Sequence, residues 1–299
     1  FSDTDAVRLL SIEKDDYKKE LFSLYKDNII DQYYGLKIQY LYPFISGKDF
    51  TYIPSPYLVV NAVTESMLNR VTFRDNKLRR AIGKEVIESY LYNIVRQLDT
   101  VTWISPELLY KKGKDKLLTS DVIAAEGDNV IFYDTKAITP SLKLRKFDVA
   151  EIEADIEIYA EDVIQIYNQI NNYLQGCFQL DKQYLKDKIF GIVVVLEDAV
   201  VSRKKVYEKV YEILEKTETL DTEEKNYICS HIKVLPLRAI ECMILQNTSL
   251  LPELIEQLSK PERWYDYTYT NTTIENGKIP LYSKYEKDLK SRIKNRIMG

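Results

Sequence analysis

Histidine is nearly missing from this chain: His231 stands alone among 299 residues. Chemistries that need two or more imidazoles are therefore closed to it. These include HNH-type and phospholipase-D-type phosphodiester cleavage, two-histidine zinc hydrolysis and HD-type phosphohydrolysis. A Ser-His-Asp set would have to use His231, which directly precedes an apolar run from Ile232 and reads as structural. Cysteine is scarce too. Cys177, Cys229 and Cys242 show no C-x-x-C spacing, so neither a zinc knuckle nor a disulfide framework is expected, and a reducing, cytoplasmic setting is. Glycine and proline number nine each, too few for an extensive linker. No apolar run approaches the roughly 20 residues that a membrane-spanning helix needs, and no basic-then-apolar leader opens the chain. There is no G-x-G-x-x-G, and Gly47-Lys48 lacks the earlier glycine of a phosphate-binding loop. The first residue is Phe1 rather than Met, which leads us to expect the carboxy-terminal piece of a longer protein.

What is present is a globular composition, 45% hydrophobic and 29% charged, with 24 tyrosines. The formal net charge of −4 argues against a passive coat for nucleic acid, which needs a broad positive surface.

The most informative stretch runs from Ser120-Asp121 to Asp134-Thr135-Lys136. Two apolar runs flank Glu126-Gly127-Asp128-Asn129, and this pattern predicts a β-hairpin. Side chains alternate along a strand, so Asp134 and Lys136 share a face, and folding the hairpin back can bring Asp121 near them. Two carboxylates and an ammonium on one sheet surface suit a hard divalent cation and a water.

An acidic helix is predicted before the hairpin, from Gly83 to Val95, with Ile87, Leu91, Ile94 and Leu98 at helical spacing. Glu85 and Glu88, three residues apart, are expected on one side of it. After the hairpin, Tyr159 to Leu174 reads as a helix in which Gln169 and Tyr173 are four apart and face one way. The uninterrupted run Ile189 to Leu196 suits a strand buried on both faces, followed by a helix from Ser202 to Lys216 and a strand from Ile232 to Leu237. The order helix, hairpin, helix, strand, helix, strand predicts an α/β (α+β) fold with a central mixed sheet flanked by helices.

Together these residues resemble the PD-(D/E)xK, restriction-endonuclease-like nuclease superfamily. Asp134-x-Lys136 is similar to its (D/E)xK half. Ser120-Asp121 stands where that family often carries Pro-Asp. Gln169-x-x-x-Tyr173 resembles the QxxxY motif of one branch. The resemblance covers about residues 81–240 and implies a metal-dependent endonuclease acting on DNA. Its catalytic residues would be Glu88, Asp121, Asp134 and Lys136, with Mg2+, or Mn2+ in its place, held by Glu88, Asp121 and Asp134. Glu88 fits the family's first-helix glutamate better, and Glu85 is the alternative. Gln169 and Tyr173 would reach phosphate or a catalytic carboxylate.

Basic clusters bracket this site in sequence: Arg70 to Lys84, including Arg80; Lys111, Lys112, Lys114 and Lys116; and Lys143, Arg145 and Lys146. Arg80, Lys112 and Lys114 are taken as nucleic-acid contacts. The chain is read as a mainly helical accessory region at 1–80, a nuclease core at 81–245, and an aromatic and basic extension at 246–299. By analogy the resemblance implies the effector of a bacterial defence system, as a homodimer or within a larger complex. Two alternatives remain open: a nuclease-fold binding or assembly subunit without activity, and an α/β interaction domain in which the D-x-K triplet is accidental.

Overall fold

The computed structural model describes residues 8, 10–25, 42–56, 58–59, 76–137, 149–196, 201–217, 219–237 and 239–241. Arg70, Arg74, Lys143, Arg145, Lys146, Cys242 and all of 246–299, with the aromatic segment and the basic tail, lie outside these residues. The chain divides into two compact units, one of residues 1–79 and 139–154, the other of 80–138 and 155–299. The segment 139–154 thus groups with the first unit.

In the first unit, β1 (Ser11–Glu13) runs into helix α1 (Lys14–Tyr25). Strand β2 (Phe44–Ser46) pairs parallel to β1 and antiparallel to β3 (Thr51–Tyr52). The sequence reading of a mainly helical region at 1–80 does not include this small sheet. Ser11-Ile12 is too short a run to carry a period of its own.

Helix α2 (Asn76–Ile82), which begins in the first unit, leads into the second and passes through a π-helical segment, Gly83–Glu88, into α3 (Ser89–Val95). Then come β4 (Trp103–Pro106), a separate two-stranded ribbon of β5 (Leu109–Lys112) and β6 (Asp115–Leu118), and the predicted hairpin, β7 (Val122–Glu126) and β8 (Asn129–Lys136). Helix α4 (Val149–Leu174), which begins in the first unit, leads to β9 (Ile189–Val195); α5 (Arg203–Leu214), α6 (Thr222–His231) and β10 (Ile232–Pro236) follow. The five-stranded sheet has the order β10-β9-β8-β7-β4. It is mixed, because β8, β9 and β10 are parallel while β7 and β4 run antiparallel to their neighbours. This is the mixed sheet with flanking helices that the element order predicts. Gly127, at φ +58°, makes the tight turn between β7 and β8.

One face of the sheet presents Val122, Ala124, Ile131, Tyr133, Ile192 and Val194 to α3, whose Leu91, Ile94 and Val95 are fully buried. Each such aliphatic side chain contributes about 1.5–3 kcal/mol on burial. On the other face Phe132 meets the Tyr173 ring of α4 at 6.2 Å, and Gly191 admits Ile166 against the sheet. A strand covered on both sides has no polar face, which is why Ile189–Val195 is apolar and buried throughout. His231 stacks between Phe190 and Tyr227, at 4.9 and 4.4 Å, and burial lowers its pKa, as a structural imidazole requires.

Candidate active site

Strands β7 and β8 part company at one end of the sheet, and this parting builds the site. Val122 pairs with Tyr133, after which β8 continues alone beside β9, with Asp134, Thr135 and Lys136 opposite Val193, Val194 and Val195. Asp121, one residue short of β7, supplies a side-chain acceptor where the strand's backbone ladder has stopped. Its Oδ2 accepts from the Thr135 backbone N–H at 2.6 Å and from Thr135 Oγ1 at 2.7 Å. The carboxylate of Asp121 is thereby fixed to the residue between Asp134 and Lys136.

Asp134 is 3% exposed, and its Oδ2 lies 2.7 Å from Lys136 Nζ. Alternation along the strand puts both on the face covered by α4. Helix α4 answers with a polar stripe at Asp162, Gln165, Gln169 and Asn172, spaced so that all four share one side. Asp162 Oδ1 is 3.4 Å from Lys136 Nζ. Gln165 accepts from Lys136 Nζ at 2.8 Å and donates to Asp134 Oδ1 at 3.4 Å. Gln169 accepts from Ser120 Oγ at 2.5 Å. Asn172 donates to Tyr110 Oη at 2.8 Å and accepts from Lys112 Nζ at 2.7 Å.

Glu88 approaches from the other layer, at the end of the π-helical segment. Its carboxyl is pushed up to about 7, first by burial and then by the negative charges of Asp121, Glu107 and Asp134, with Lys84 pulling the other way. Asp134 is pushed up to about 6, chiefly by burial, with Asp121 and Asp162 adding and Lys136 opposing. Burial alone would lower Lys136, but Asp134 and Asp162 outweigh it and hold the ammonium above its ordinary value. Lys136 is therefore a fixed cation near neutrality and not a base.

Of the four that the sequence singles out, Asp121 and Asp134 thus act electrostatically on both Glu88 and Lys136. Glu85 and Glu88 do not share a side. The i→i+5 winding changes the angular step, so that Glu85 is exposed while Glu88 is half-buried. Gln169 and Tyr173, expected on nucleic acid, are 6% and 7% exposed and spend their polar groups internally. Tyr173 Oη accepts from the Tyr184 N–H at 2.8 Å and donates to the Lys182 carbonyl at 3.2 Å, while its ring packs on Phe132 and Phe178. Arg80, Lys112 and Lys114 are all exposed, and Lys112 Nζ donates to Asn172 Oδ1.

No protein-family model matches the chain. A probable DNA-directed RNA polymerase from a Gelasinospora species is 26% identical over 134 residues, which are 45% of this chain and 15% of that protein. The chain therefore spans a small fraction of that relative. Among solved structures, the small subunit of a heterodimeric restriction endonuclease is similar at 10% identity with a TM-score of 0.31, covering 67% of this chain and 95% of that one. A likeness of that size is too slight to bear on fold or activity.

Two participants escape the motif reading. Glu107, just beyond β4, acts on Glu88 and lies 3.5 Å from Lys84 Nζ, but no periodicity or spacing marks it in sequence. Gln165 has a signal, the recurrence of polar residues along one side of an otherwise apolar helix. Among the described residues no three Asp, Glu, His or Cys side chains stand in a ready-made cation cage. The donor chemistry nonetheless suits a hard divalent ion: oxygen ligands only, partly buried, with two of their pKa values raised first by burial and further by one another's charge. The same crowding has a consequence for stability. Glu88 and Asp134 keep protons in the folded state that they release at about 4.5 and 3.8 when unfolded. Their cost to folding is absent below about pH 4 and fully developed above about pH 7. Glu88→Gln, which removes one of these two groups, is expected to gain stability over the parent as pH rises through that window. Thermal unfolding of both proteins followed by circular dichroism checks the sign; a parent that gains on Glu88→Gln between about pH 4.5 and 7 contradicts the arrangement.

Proposed function

We propose that this chain is a Mg2+-dependent nuclease of the PD-(D/E)xK kind that hydrolyses DNA phosphodiester bonds. The observation that carries the reading is the join between Asp121 and Thr135, which ties one acidic residue of the motif to the segment bearing the other two members. Glu88, Asp121 and Asp134 would hold the cation, with Mn2+ as a substitute. When bound, such an ion would polarise a phosphodiester oxygen and acidify a coordinated water. Lys136, kept protonated by Asp134 and Asp162, is suited to stabilise negative charge growing on the phosphate. Glu88, with a pKa of about 7, can hold or accept a proton on its carboxylate under neutral conditions. Gln165 orients both Asp134 and Lys136, and Gln169 steadies Ser120 beside Asp121. A place in a bacterial defence system, alone or as a multimer, is part of the proposal and rests on the family resemblance.

The second reading, a nuclease-fold subunit without activity, draws support from the ion pair that already occupies Asp134 and from the want of a ready-made cation cage among the described residues. Calorimetric titration with Mg2+ and Mn2+ separates the two. We expect a saturable site in the parent chain, weakened at least about tenfold by Asp121→Asn, since loss of even a supporting group costs that much and Asp121 would be a ligand itself. Duplex DNA cleavage should depend on the same cation. A chain that binds no divalent ion and leaves DNA intact is the inactive subunit.

A further inference from the structure

The β5–β6 ribbon has two unlike faces. Toward the protein it turns Tyr110, which is 7% exposed and packs on Phe178 at 4.8 Å, together with Lys112, held by Asn172. Register assigns the outer face. Leu109 lies opposite Leu118, and Lys111 opposite Lys116, all on the side away from Tyr110. Both leucines are open to solvent, at 66% and 47%, and both lysines are exposed. Two ammoniums facing each other across a strand pair repel, and solvated apolar pairs gain nothing by themselves. The ribbon tip adds exposed Lys114 beside Gly113, whose φ of +62° makes the turn.

The ribbon is also fixed in aim. Leu108 N–H donates to Thr119 Oγ1 at 2.8 Å and Thr119 N–H to the Leu108 carbonyl at 2.9 Å, closing its base. That base is flanked directly by Glu107 on one side and Ser120-Asp121 on the other. Asn172, on the same side of α4 as Gln165 and Gln169, clamps the inner face. A rigid, basic, two-stranded projection is thus anchored to the two segments that carry acidic residues of the site.

We propose that this outer face, formed by Leu109, Lys111, Lys116 and Leu118 with Lys114 at the tip, is a docking surface for double-stranded DNA. The ribbon enters the major groove, with the lysines on phosphates and the leucines against base edges. A two-stranded β-ribbon fits the wide major groove of B-form DNA, whereas the deep, narrow groove of an RNA helix excludes it. The ribbon's exposed lysines are complementary in charge to phosphate, in a chain whose net charge is acidic. The proposal deepens the nuclease reading and rests on it for its substrate class, but its test is independent of catalysis.

Fluorescence anisotropy of the full chain with a labelled DNA duplex, in EDTA so that nothing is cut, reads binding alone. Lys111→Glu with Lys116→Glu is expected to weaken duplex binding at least about tenfold. Lys111→Ala with Lys116→Ala should flatten the log–log salt slope by about 2, one for each phosphate no longer neutralised. Leu109→Ser with Leu118→Ser should weaken binding while leaving the salt slope unchanged. Lys204→Glu with Lys205→Glu, an equal charge change on exposed positions of α5, should alter binding less than about twofold. The single variant Lys111→Glu should melt no lower than the parent, since it replaces a repulsive cross-strand pair by an attractive one. Parental affinity in the ribbon reversal, an equal loss in the α5 control, or binding of single strands or duplex RNA as tight as that of duplex DNA would each overturn the assignment. If the ribbon variants fail to bind DNA but no parent sample cuts it, the surface stands and the nuclease reading falls. If the parent cuts and the ribbon reversal binds and cuts equally, the converse holds.

Discussion

Lys136→Ala is expected to slow divalent-dependent DNA cleavage by roughly 10²–10³-fold, the loss typical of removing one charge-stabilising donor from a preorganised site. Its ammonium is held by Asp134, Asp162 and Gln165 at 2.7, 3.4 and 2.8 Å. Because it is itself an ion partner of Asp134, its removal frees that carboxylate for a metal, so cation affinity should be kept or tightened while the rate collapses. Asp134→Asn should lose both, since an amide neither balances Lys136 nor holds a hard cation well. The two variants therefore carry different signatures in a titration and in a cleavage assay. Removing one member of a buried ion pair also costs about 3–5 kcal/mol, so both assays belong at a temperature where circular dichroism shows the variant folded. Parental cleavage rates in Lys136→Ala would refute its assigned role.

The second large effect is expected at Gly191, in the middle of β9 and paired with Phe132 and Ile232. A Cβ there would sit 2.3 Å from Ile166 Cγ2, far inside van der Waals contact. Ile166 is β-branched and fully buried on a rigid helix, so it has little room to turn aside. Gly191→Ala should cost about 1–3 kcal/mol by overpacking. It should also lift α4 from the sheet and so loosen Gln165 and Asp162 from Lys136. Ile166→Ala alone should cost about 2–5 kcal/mol through the cavity it leaves. In the double variant the new methyl occupies that cavity, so the losses should fall short of their sum. Denaturant unfolding of the two singles and the double closes the cycle; strict additivity would mean that α4 does not press on Gly191.

The legible parts of this fold are those where a single period governs a segment. The hairpin announces itself through two apolar runs about a Gly-containing turn, and β9 through an unbroken apolar stretch. Ile87, Leu91, Ile94 and Leu98 are buried as their spacing requires. Strand β4 escapes notice because Trp103–Pro106 is four residues long and ends in proline, tolerable on an edge but a poor strand signal. The ribbon reads as a run of charge, since its apolar residues sit at its base and lysine fills the rest. Helix α6 is weakly amphipathic, yet it has a usable cue: Asp221 caps it by accepting from the Glu224 N–H at 2.7 Å, in the Asp-x-x-Glu spacing of a helix start. At the site, strand alternation puts Asp134 with Lys136, but no local rule can pair Glu107 with Glu88, because that meeting depends on where α3 and β4 are set against the sheet. Gln169 and Tyr173 are neighbours on one helix, as their spacing says, and only packing decides that both turn inward.

The surplus residue wound into the helix between Gly83 and Glu88 works as a phase shifter. Cutting it out would rewind the segment to ordinary pitch and spin everything before it by about 100° relative to Ser89–Val95. Lys84 would swing off Glu107, while Glu88, next to Ser89, would keep its place. Which side chain of the earlier turns meets Glu107 is thus written in a count of residues as much as in their kind, and two related chains that differ by one residue here would bring different charges to it.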